Sequence, residues 1–285
     1  MEVWDYERTR RYLLAMECAE AERDGLHKWV EWNVPRFLRT LELIPPGAPG
    51  QRCLEVGALP FTFTVLLKKL RPYDLLLVDY HSAGSAEPMV RSTVRIPEFG
   101  EEHVFESAFC DLERERLPYD EASVDGAVCG EVLEHVTRDP VAMLAEIYRV
   151  LRPNGWLVLT TPNVASLRKG LALLHGRNIY DPYDRAFGPT WRHNREYTGQ
   201  EVGDLLRATG FVVERVLVED AYPPTSRRPL SERLLRQLYE LVYRQNYGEQ
   251  IYAVARRGPT PRCERPAWLY YHEAHVPAAS ARADG

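Results

Sequence analysis

The chain has 285 residues and a formal net charge of −5, and 45% of its residues are hydrophobic. This length fits one large domain or a domain with insertions, and the hydrophobic fraction suffices for a sizeable core. The acidic excess argues against a general nucleic-acid binder, because such proteins normally carry a basic excess.

Targeting signals and metal motifs are also absent from the sequence. No apolar run is long enough to span a bilayer, and the charged N-terminal stretch lacks the apolar core of a signal peptide. We therefore expect a cytoplasmic protein without a membrane span. The five cysteines show no CxxC spacing, so we predict neither a zinc site nor any other bound metal.

The predicted elements alternate along most of the chain. Two segments with helical spacing lie within residues 1–44, and the linker "IPPGAPG" follows them. After the linker, short apolar runs alternate with helical patterns, which predicts an α/β fold with a doubly wound, parallel sheet. The predicted strands lie within residues 52–56, 74–80, 103–112, 124–136, 155–163, 211–219 and 250–257.

Two predicted helices carry end signals. Asp139 and Pro140 suit the N-cap and the first turn of one of them. Thr198 and Glu201 fit a capping box at the start of the other, and Gly210 fits its end.

This rhythm suggests three parts of the chain. We predict an N-terminal helical cap, a core with two cap insertions and a C-terminal tail. These cover residues 1–49, residues 50–257 with insertions at 164–197 and 222–248, and residues 258–285.

The first insertion contains a long aromatic loop. It carries Tyr180, Tyr183, Phe187, Trp191 and His193. Long loops in compact domains are often lids or binding loops, so we expect this one to cover a site.

Acidic residues and glycines follow four of the predicted strands. In open parallel sheets, ligands bind at this carboxyl edge, near the point where the strand order reverses. A glycine permits a sharp turn, and an acidic residue after the second strand suits the hydroxyls of a ribose. Taken singly, these residues have simpler interpretations as a strand-end cap, a solvated turn residue or a core ion pair. Their order favours nucleotide binding by Glu55, Gly57, Asp79, Asp111, Gly130 and Glu131.

The most specific stretch lies between residues 117 and 163 and contains "EVLEHV" and "LRPNG". With "HNREYT" at residues 193–198, it resembles class I S-adenosylmethionine-dependent methyltransferases, in particular the type 11 group that includes the ubiquinone-biosynthesis methyltransferases. The resemblance covers the chain from about residue 50 to residue 220. It implies a Rossmann-like, mostly parallel sheet of seven strands with an antiparallel last strand, and S-adenosylmethionine as the cofactor.

The same resemblance implies roles for individual residues. The methionine part of the cofactor would lie against the first motif and the loop after the fourth strand, the ribose at the second strand and the adenine at the third. In that order the residues are Glu55, Gly57, Ala58, Gly130 and Glu131, then Asp79 and Tyr80, then Asp111 and Leu112.

The first motif departs from the family pattern ExGxGxG. Leu59 and Phe61 stand at the later two glycine positions. Side chains there would obstruct a close backbone approach to the cofactor unless the loop takes another path. Pro60 suits the first turn of the following helix, whose N-terminus can face a carboxylate.

An acceptor hydroxyl must lose a proton during methyl transfer, so a base is expected near the methyl group. His135 and His193 are the candidates. The simpler interpretations are a histidine that orders its loop for His135, and a surface histidine or a partner of Glu196 for His193.

The acceptor is predicted from the aromatic loop. Rings interspersed with Asp, Arg and His suit a sugar, so we predict O-methylation of a sugar or glycan precursor. The alternative is O- or N-methylation of a phenolic or polyketide-like natural product. The candidate substrate residues are Tyr183, Trp191, Arg195 and Tyr197.

Two other classes of function stay open. A nicotinamide-dependent oxidoreductase would also bind ribose after its second strand, but its glycine fingerprint is absent. A degenerate methyltransferase fold that acts as a binding or scaffold protein is favoured by the missing glycines. The sequence leaves homodimer formation open.

Overall fold

The structure is a computed structural model. It describes residues 4–19, 23–80, 89–183, 192–221 and 247–270, and the single positions 223, 234, 237, 238 and 241.

An eight-stranded sheet forms the centre of the fold, in the order β3-β4-β2-β1-β5-β6-β8-β7. The pairs β4–β2, β2–β1, β1–β5 and β5–β6 are parallel, whereas β3–β4, β6–β8 and β8–β7 are antiparallel. The strands are β1 Arg52–Val56, β2 Asp74–Tyr80, β3 Met89–Ile96, β4 Glu101–Cys110, β5 Val124–Gly130, β6 Leu151–Pro162, β7 Phe211–Glu219 and β8 Gln250–Arg257.

The predicted fold class is confirmed, with one correction to the number of strands. The sheet is mostly parallel and its last strand is antiparallel, but it has eight strands and not seven, because β3 pairs along its whole length with β4. A 3₁₀ turn at Pro97–Phe99 and Gly100, with φ of 66°, joins these two strands. The side chains of β3 alternate in burial, so it lacks the continuous apolar run by which the other strands were predicted.

Six α-helices accompany the sheet in the described part of the chain. None of them combines the length and the hydropathy that crossing a membrane requires. The helices are α1 Tyr6–Leu14, α2 Arg23–Leu43, α3 Thr62–Leu70, α4 Pro140–Val150, α5 Leu167–Leu174 and α6 Gly199–Ala208.

The predicted helix-end signals are confirmed. The Asp139 side chain accepts a hydrogen bond from the Ala142 amide at the start of α4. At the start of α6, Thr198 and Glu201 form both hydrogen bonds of a capping box. Gly210 follows α6 with φ of 92°, a conformation that glycine adopts without strain.

Two apolar clusters cover the two faces of the sheet. One contains buried side chains of α4 and α6, and the other contains those of α1, α2 and α3. The strands between them are therefore buried on both faces, which explains their apolar sequences.

The last described residues of the chain pack against its body. The Tyr270 hydroxyl donates to Asp139 Oδ1 over 2.6 Å, and Arg265 forms an ion pair with the same carboxylate. Leu269 and Tyr270 lie against the cluster on the α4 and α6 face.

The strand order reverses at β1, which has β2 on one side and β5 on the other. Gly57 follows β1 and Gly130 ends β5, and a Cβ atom built on Gly57 would lie 3.6 Å from the Gly130 carbonyl oxygen. The two predicted glycine positions therefore face each other at the switch point, where sheets of this kind bind ligands.

Candidate active site at the carboxyl edge of the sheet

The loop after β1 is tied to the end of β2. Gly57 has φ of 81°, and a Cβ atom there would lie 2.5 Å from Val132 Cγ2, so a side chain does not fit. The Leu59 amide donates to Asp79 Oδ2 over 2.6 Å, and the Leu59–Pro60 peptide bond is cis. Asp79 therefore fixes the path of this loop as well as placing a carboxylate at the edge of the sheet.

Phe61 takes the conformation that a glycine would supply. It lies in the left-handed region with φ of 67°, and its amide donates to the Ala58 carbonyl over 2.6 Å. Its ring is completely buried and stacks on Phe105 with 5.4 Å between the ring centroids. The side chain thus fills the core, and Leu59 packs partly against the same cluster. This is the alternative path by which the loop accommodates both residues.

Glu55 lies in the core beneath this loop. It is 3% exposed, and its Oε2 atom has no hydrogen-bond partner among the described residues. Burial, reinforced by the negative charge of Asp79 and opposed by the Thr64 hydroxyl, raises the pKa of Glu55 to about 8. Glu55 therefore keeps its proton at pH 7.

Three more predicted cofactor residues, Tyr80, Asp111 and Leu112, lie at the ends of β2 and β4. Tyr80 ends β2 opposite Cys110, but its side chain lies outside the described part of the chain. Asp111 Oδ1 accepts a hydrogen bond from the Glu113 amide and closes the turn after β4. Leu112 is buried in the core.

Glu131 anchors the loop after β5. Its Oε1 atom accepts hydrogen bonds from the Thr160 hydroxyl over 2.9 Å and from Gln250 Nε2 over 2.6 Å. Arg36 of α2, 8% exposed, places Nη1 3.9 Å from the same oxygen. The N-terminal helix α2 thereby brings a buried cation to the edge of the sheet.

A cavity of about 560 Å³ opens beside Glu131, between α2, α5 and the start of β8. Its walls contain acidic and basic side chains and the ring of Trp32, which is 53% exposed. The charged side chains are Arg36, Glu131, Arg168, Lys169, Asp181, His193, Glu196 and Glu249. A depression of about 770 Å³ beside α1 contains none of the predicted site residues.

The two predicted catalytic histidines lie together, and His193 lines the cavity. The rings of His135 and His193 meet edge to face, with 5.1 Å between their centroids. His135 Nδ1 lies 3.2 Å from the Arg192 carbonyl oxygen, and His193 Nδ1 lies 2.8 Å from Glu196 Oε1. His193 is therefore a partner of Glu196, as one of the simpler interpretations proposed.

Glu134 completes this group from the interior. It is 0% exposed, and its Oε2 atom accepts a hydrogen bond from the Thr161 hydroxyl over 2.9 Å. Its Oε1 atom has no partner among the described residues and lies 4.0 Å from His135 Nε2.

The protonation of the two histidines differs. Burial, together with the neighbouring His193, lowers the pKa of His135. Burial also opposes protonation of His193, but the hydrogen bond that His193 donates to Glu196 and the nearby charge of Glu134 outweigh it and raise the pKa of His193. Lys169 forms an ion pair with Glu196 and fixes that carboxylate.

The predicted substrate residues are only partly brought together. Tyr183 is 85% exposed, with the Arg192 guanidinium over its ring, and Arg195 pairs with Glu201 away from the cavity walls. Tyr197 is 1% exposed and forms a bridge to Asn163, so its ring belongs to the core and is not at the cavity. Trp191 lies outside the described residues.

Several site residues were not predicted from the sequence. Arg36 of α2 and Lys169 of α5 line the cavity, although both are distant in sequence from the motifs at the strand ends. The Glu113 carboxylate accepts hydrogen bonds from the Thr137 hydroxyl and from the amides of residues 137–139, and so orders the loop after His135. Arg36 and Lys169 lie on helices and belong to no motif, so no sequence signal marked them. Glu113 comes three residues after the end of β4, so its position as an acidic residue after a strand was the signal that could have found it.

A model of the methyltransferase domain family matches residues 54–159, which include both glycine loops and the histidine motif. Residues 54–159 thus form a methyltransferase domain, and the predicted family is confirmed for this part of the chain. At the level of fold, the domain is similar to an S-adenosylmethionine-dependent methyltransferase from Archaeoglobus fulgidus, with a TM-score of 0.50 and 17% identity over 80% of this chain and 93% of that one.

Curated proteins also match part of the chain in sequence. One, from Mycolicibacterium smegmatis, is named a "probable S-adenosylmethionine-dependent methyltransferase" and is 35% identical over 101 residues, or 35% of this chain and 34% of that protein. A protein of transposon TN4556 from Streptomyces fradiae is 34% identical over 124 residues, or 42% of this chain and 32% of that protein. The chain thus spans about a third of the length of these relatives.

The position of Phe61 in the methyltransferase domain leads to a first prediction. Phe61→Gly restores the family's glycine but removes a buried ring, so we expect a loss of about 3 kcal/mol in the free energy of unfolding. Affinity for S-adenosylmethionine should stay within about threefold, because the ring does not reach the edge of the sheet. Urea denaturation and calorimetry measure the two effects, with Phe105→Leu as a control that removes the stacking partner. A large loss of affinity in Phe61→Gly alone would contradict this account of the loop.

Proposed function

We propose that the chain is an S-adenosylmethionine-dependent methyltransferase acting on a hydroxyl of a sugar or glycan precursor. The observation that carries the methyltransferase assignment is the pair of facing glycine loops at the switch point, with Asp79 beside them, inside a methyltransferase domain. The acceptor class is supported by the cavity next to these loops.

The residues at the edge of the sheet fit the cofactor by their chemistry. In this proposal Asp79 offers a carboxylate to the ribose hydroxyls, and the adenine is assigned to the end of β4 beside Asp111 and Leu112. Glu131 and the buried Arg36 carry opposite charges beside Gly130, which suits the ammonium and carboxylate groups of the methionine part. Gly57 and Ala58 form the start of the loop after β1, and Glu55 and Tyr80 belong to the ends of β1 and β2 beside it.

The cofactor, when bound, supplies a methyl group on a positively charged sulfur, which makes that carbon an electrophile. The chain's own task is to align the acceptor oxygen and to remove its proton. We propose His193, which lines the cavity, and His135, whose ring meets that of His193, as the candidates for this base. Glu196 orients His193 through Nδ1, which leaves Nε2 directed away from that carboxylate.

A sugar suits the walls of the cavity. Trp32 offers a ring face, and Asn33, Arg168 and Asp181 offer polar groups of the kind that hydroxyls bind. A phenolic acceptor is the alternative that the ring of Trp32 also supports. Tyr183 and Arg195 stand outside these walls, and we retain Tyr183 only as a residue of the loop that borders them.

The test is calorimetric titration with S-adenosylmethionine, followed by methyl-transfer assays on panels of sugar nucleotides and of phenols. We expect cofactor binding and turnover of at least one sugar, reduced at least about tenfold in Trp32→Ala. Leu174→Ala, an exposed apolar residue outside the cavity walls, is the matched control. Binding without turnover of any acceptor would favour a binding protein, and binding of a nicotinamide cofactor alone would indicate an oxidoreductase.

A further inference from the structure

We propose that Glu134, His135 and His193 form a binding site for a divalent transition-metal cation. One ligand atom from each of the three residues lies within 4.8 Å of the other two. Two ligands at about 2.1 Å from one ion can be at most about 4.2 Å apart, so small side-chain rotations would close the site. This proposal differs from our expectation that the chain holds no metal, and the experiment below decides between them.

Glu134 supplies the first argument. Its Oε1 atom is buried, has no hydrogen-bond partner among the described residues, and lies 4.0 Å from His135 Nε2. An unpaired buried carboxylate oxygen is costly, and a cation is one of the few partners that compensates it. The Thr161 hydroxyl holds Oε2, which fixes the orientation of Oε1.

The outer partners of both histidines supply the second argument. His135 Nδ1 faces the Arg192 carbonyl oxygen, and His193 Nδ1 faces Glu196 Oε1. A histidine that binds a metal usually donates its second ring N–H to such an oxygen, which fixes the ring and leaves the other nitrogen for the ion. Both histidines therefore carry the outer contact that would leave Nε2 as the ligand atom.

The composition of the site indicates the kind of ion. Two imidazoles and one carboxylate suit Mn²⁺, Fe²⁺, Co²⁺ or Zn²⁺, and three protein ligands leave positions open for other molecules. His193 lines the cavity, so an open position can be reached from it. A hydroxyl that binds the ion there would become more acidic and would lose its proton to solvent water. With the ion bound, the histidines would therefore act as ligands, and this role would replace the role of base given to them under the proposed function.

The test uses the full chain, stripped of metal by a chelator, without cofactor or acceptor. We expect it to bind one equivalent of Co²⁺ with a change in visible absorption, and one equivalent of Mn²⁺ by calorimetry. H193Q and E134Q should each weaken binding at least about 100-fold, and E196Q, which removes only the carboxylate behind His193, about 10- to 100-fold. His175→Gln, an exposed histidine outside the cluster, should bind like the unmodified chain.

Thermal melting in the absence of metal checks that each variant is folded, and H135Q serves as a second ligand variant. Failure of the unmodified chain to bind either ion would overturn the site, and so would equal binding by H193Q, H135Q and His175→Gln. Because the measurement needs no S-adenosylmethionine, its outcome is independent of whether the proposed methyl transfer is found.

Discussion

Replacing Asp79 with alanine should weaken the binding of S-adenosylmethionine about 100-fold. The carboxylate accepts a hydrogen bond from the Leu59 amide over 2.6 Å. Its loss therefore releases the loop after β1 and also removes the proposed contact with the ribose. Charge-assisted hydrogen bonds contribute about 1.5–3 kcal/mol each, and a factor of ten corresponds to about 1.4 kcal/mol. Calorimetric titration of the purified variant measures the change.

Two further variants separate the contributions. Asp79→Asn keeps an acceptor for the Leu59 amide but loses the charge, so we expect an intermediate loss of about tenfold. Asp74→Ala, at the opposite end of the same strand and exposed, should leave the affinity unchanged. An Asp79→Ala protein that still binds the cofactor within threefold of the original would support a degenerate binding protein instead.

The stability of the protein should fall as pH rises from about 5 to 8, and Glu55→Gln should remove part of this fall. The pKa of Glu55 is about 8 in the folded protein against 4.5 for an exposed group. Between these values the folded state binds the extra proton, so the free energy of unfolding declines by up to about 1.4 kcal/mol per pH unit. Above about pH 8 both states are ionised and the decline from this group ends.

Urea denaturation at pH 5, 6.5 and 8 provides the measurement. Glu55→Gln does not titrate, so its stability relative to the unmodified protein should improve by roughly 3 kcal/mol across this range. Glu7→Gln in the exposed first turn of α1 should follow the unmodified protein at every pH. Parallel curves for the unmodified protein and Glu55→Gln would show that Glu55 is ionised in the folded state.

Much of the fold could be predicted because its signals are local. Continuous apolar runs marked the parallel strands, and the caps at Asp139 and Thr198 marked two helix starts. β3 was missed because only one face of it is buried and its pairing with β4 gives no continuous apolar run. The start of β6 was also predicted too late. The strand begins at Leu151, directly after α4, and not at residue 155, because it includes the turn through Asn154.

The candidate site was predictable where residues follow strands and unpredictable where helices supply them. Gly57, Asp79 and Gly130 meet because the carboxyl ends of parallel strands share one edge. Arg36 and Lys169 come from α2 and α5, and only the packing of those helices brings them to the cavity. The pairing of His135 with His193 depends on the path of a loop 58 residues later, for which spacing gives no rule.

The left-handed Phe61 has an evolutionary consequence. A glycine at this position adopts a positive φ without any support from surrounding side chains. Its presence therefore places no constraint on the residues of the core. Here Phe61 has a positive φ, and its ring is held in place by stacking on Phe105. We therefore expect substitutions at positions 61 and 105 to be correlated during evolution. In relatives with glycine at the position of Phe61, a larger or differently placed side chain should fill the space that the Phe61 ring occupies beside residue 105. A search that counts glycines alone would therefore overlook nucleotide-binding loops of this kind.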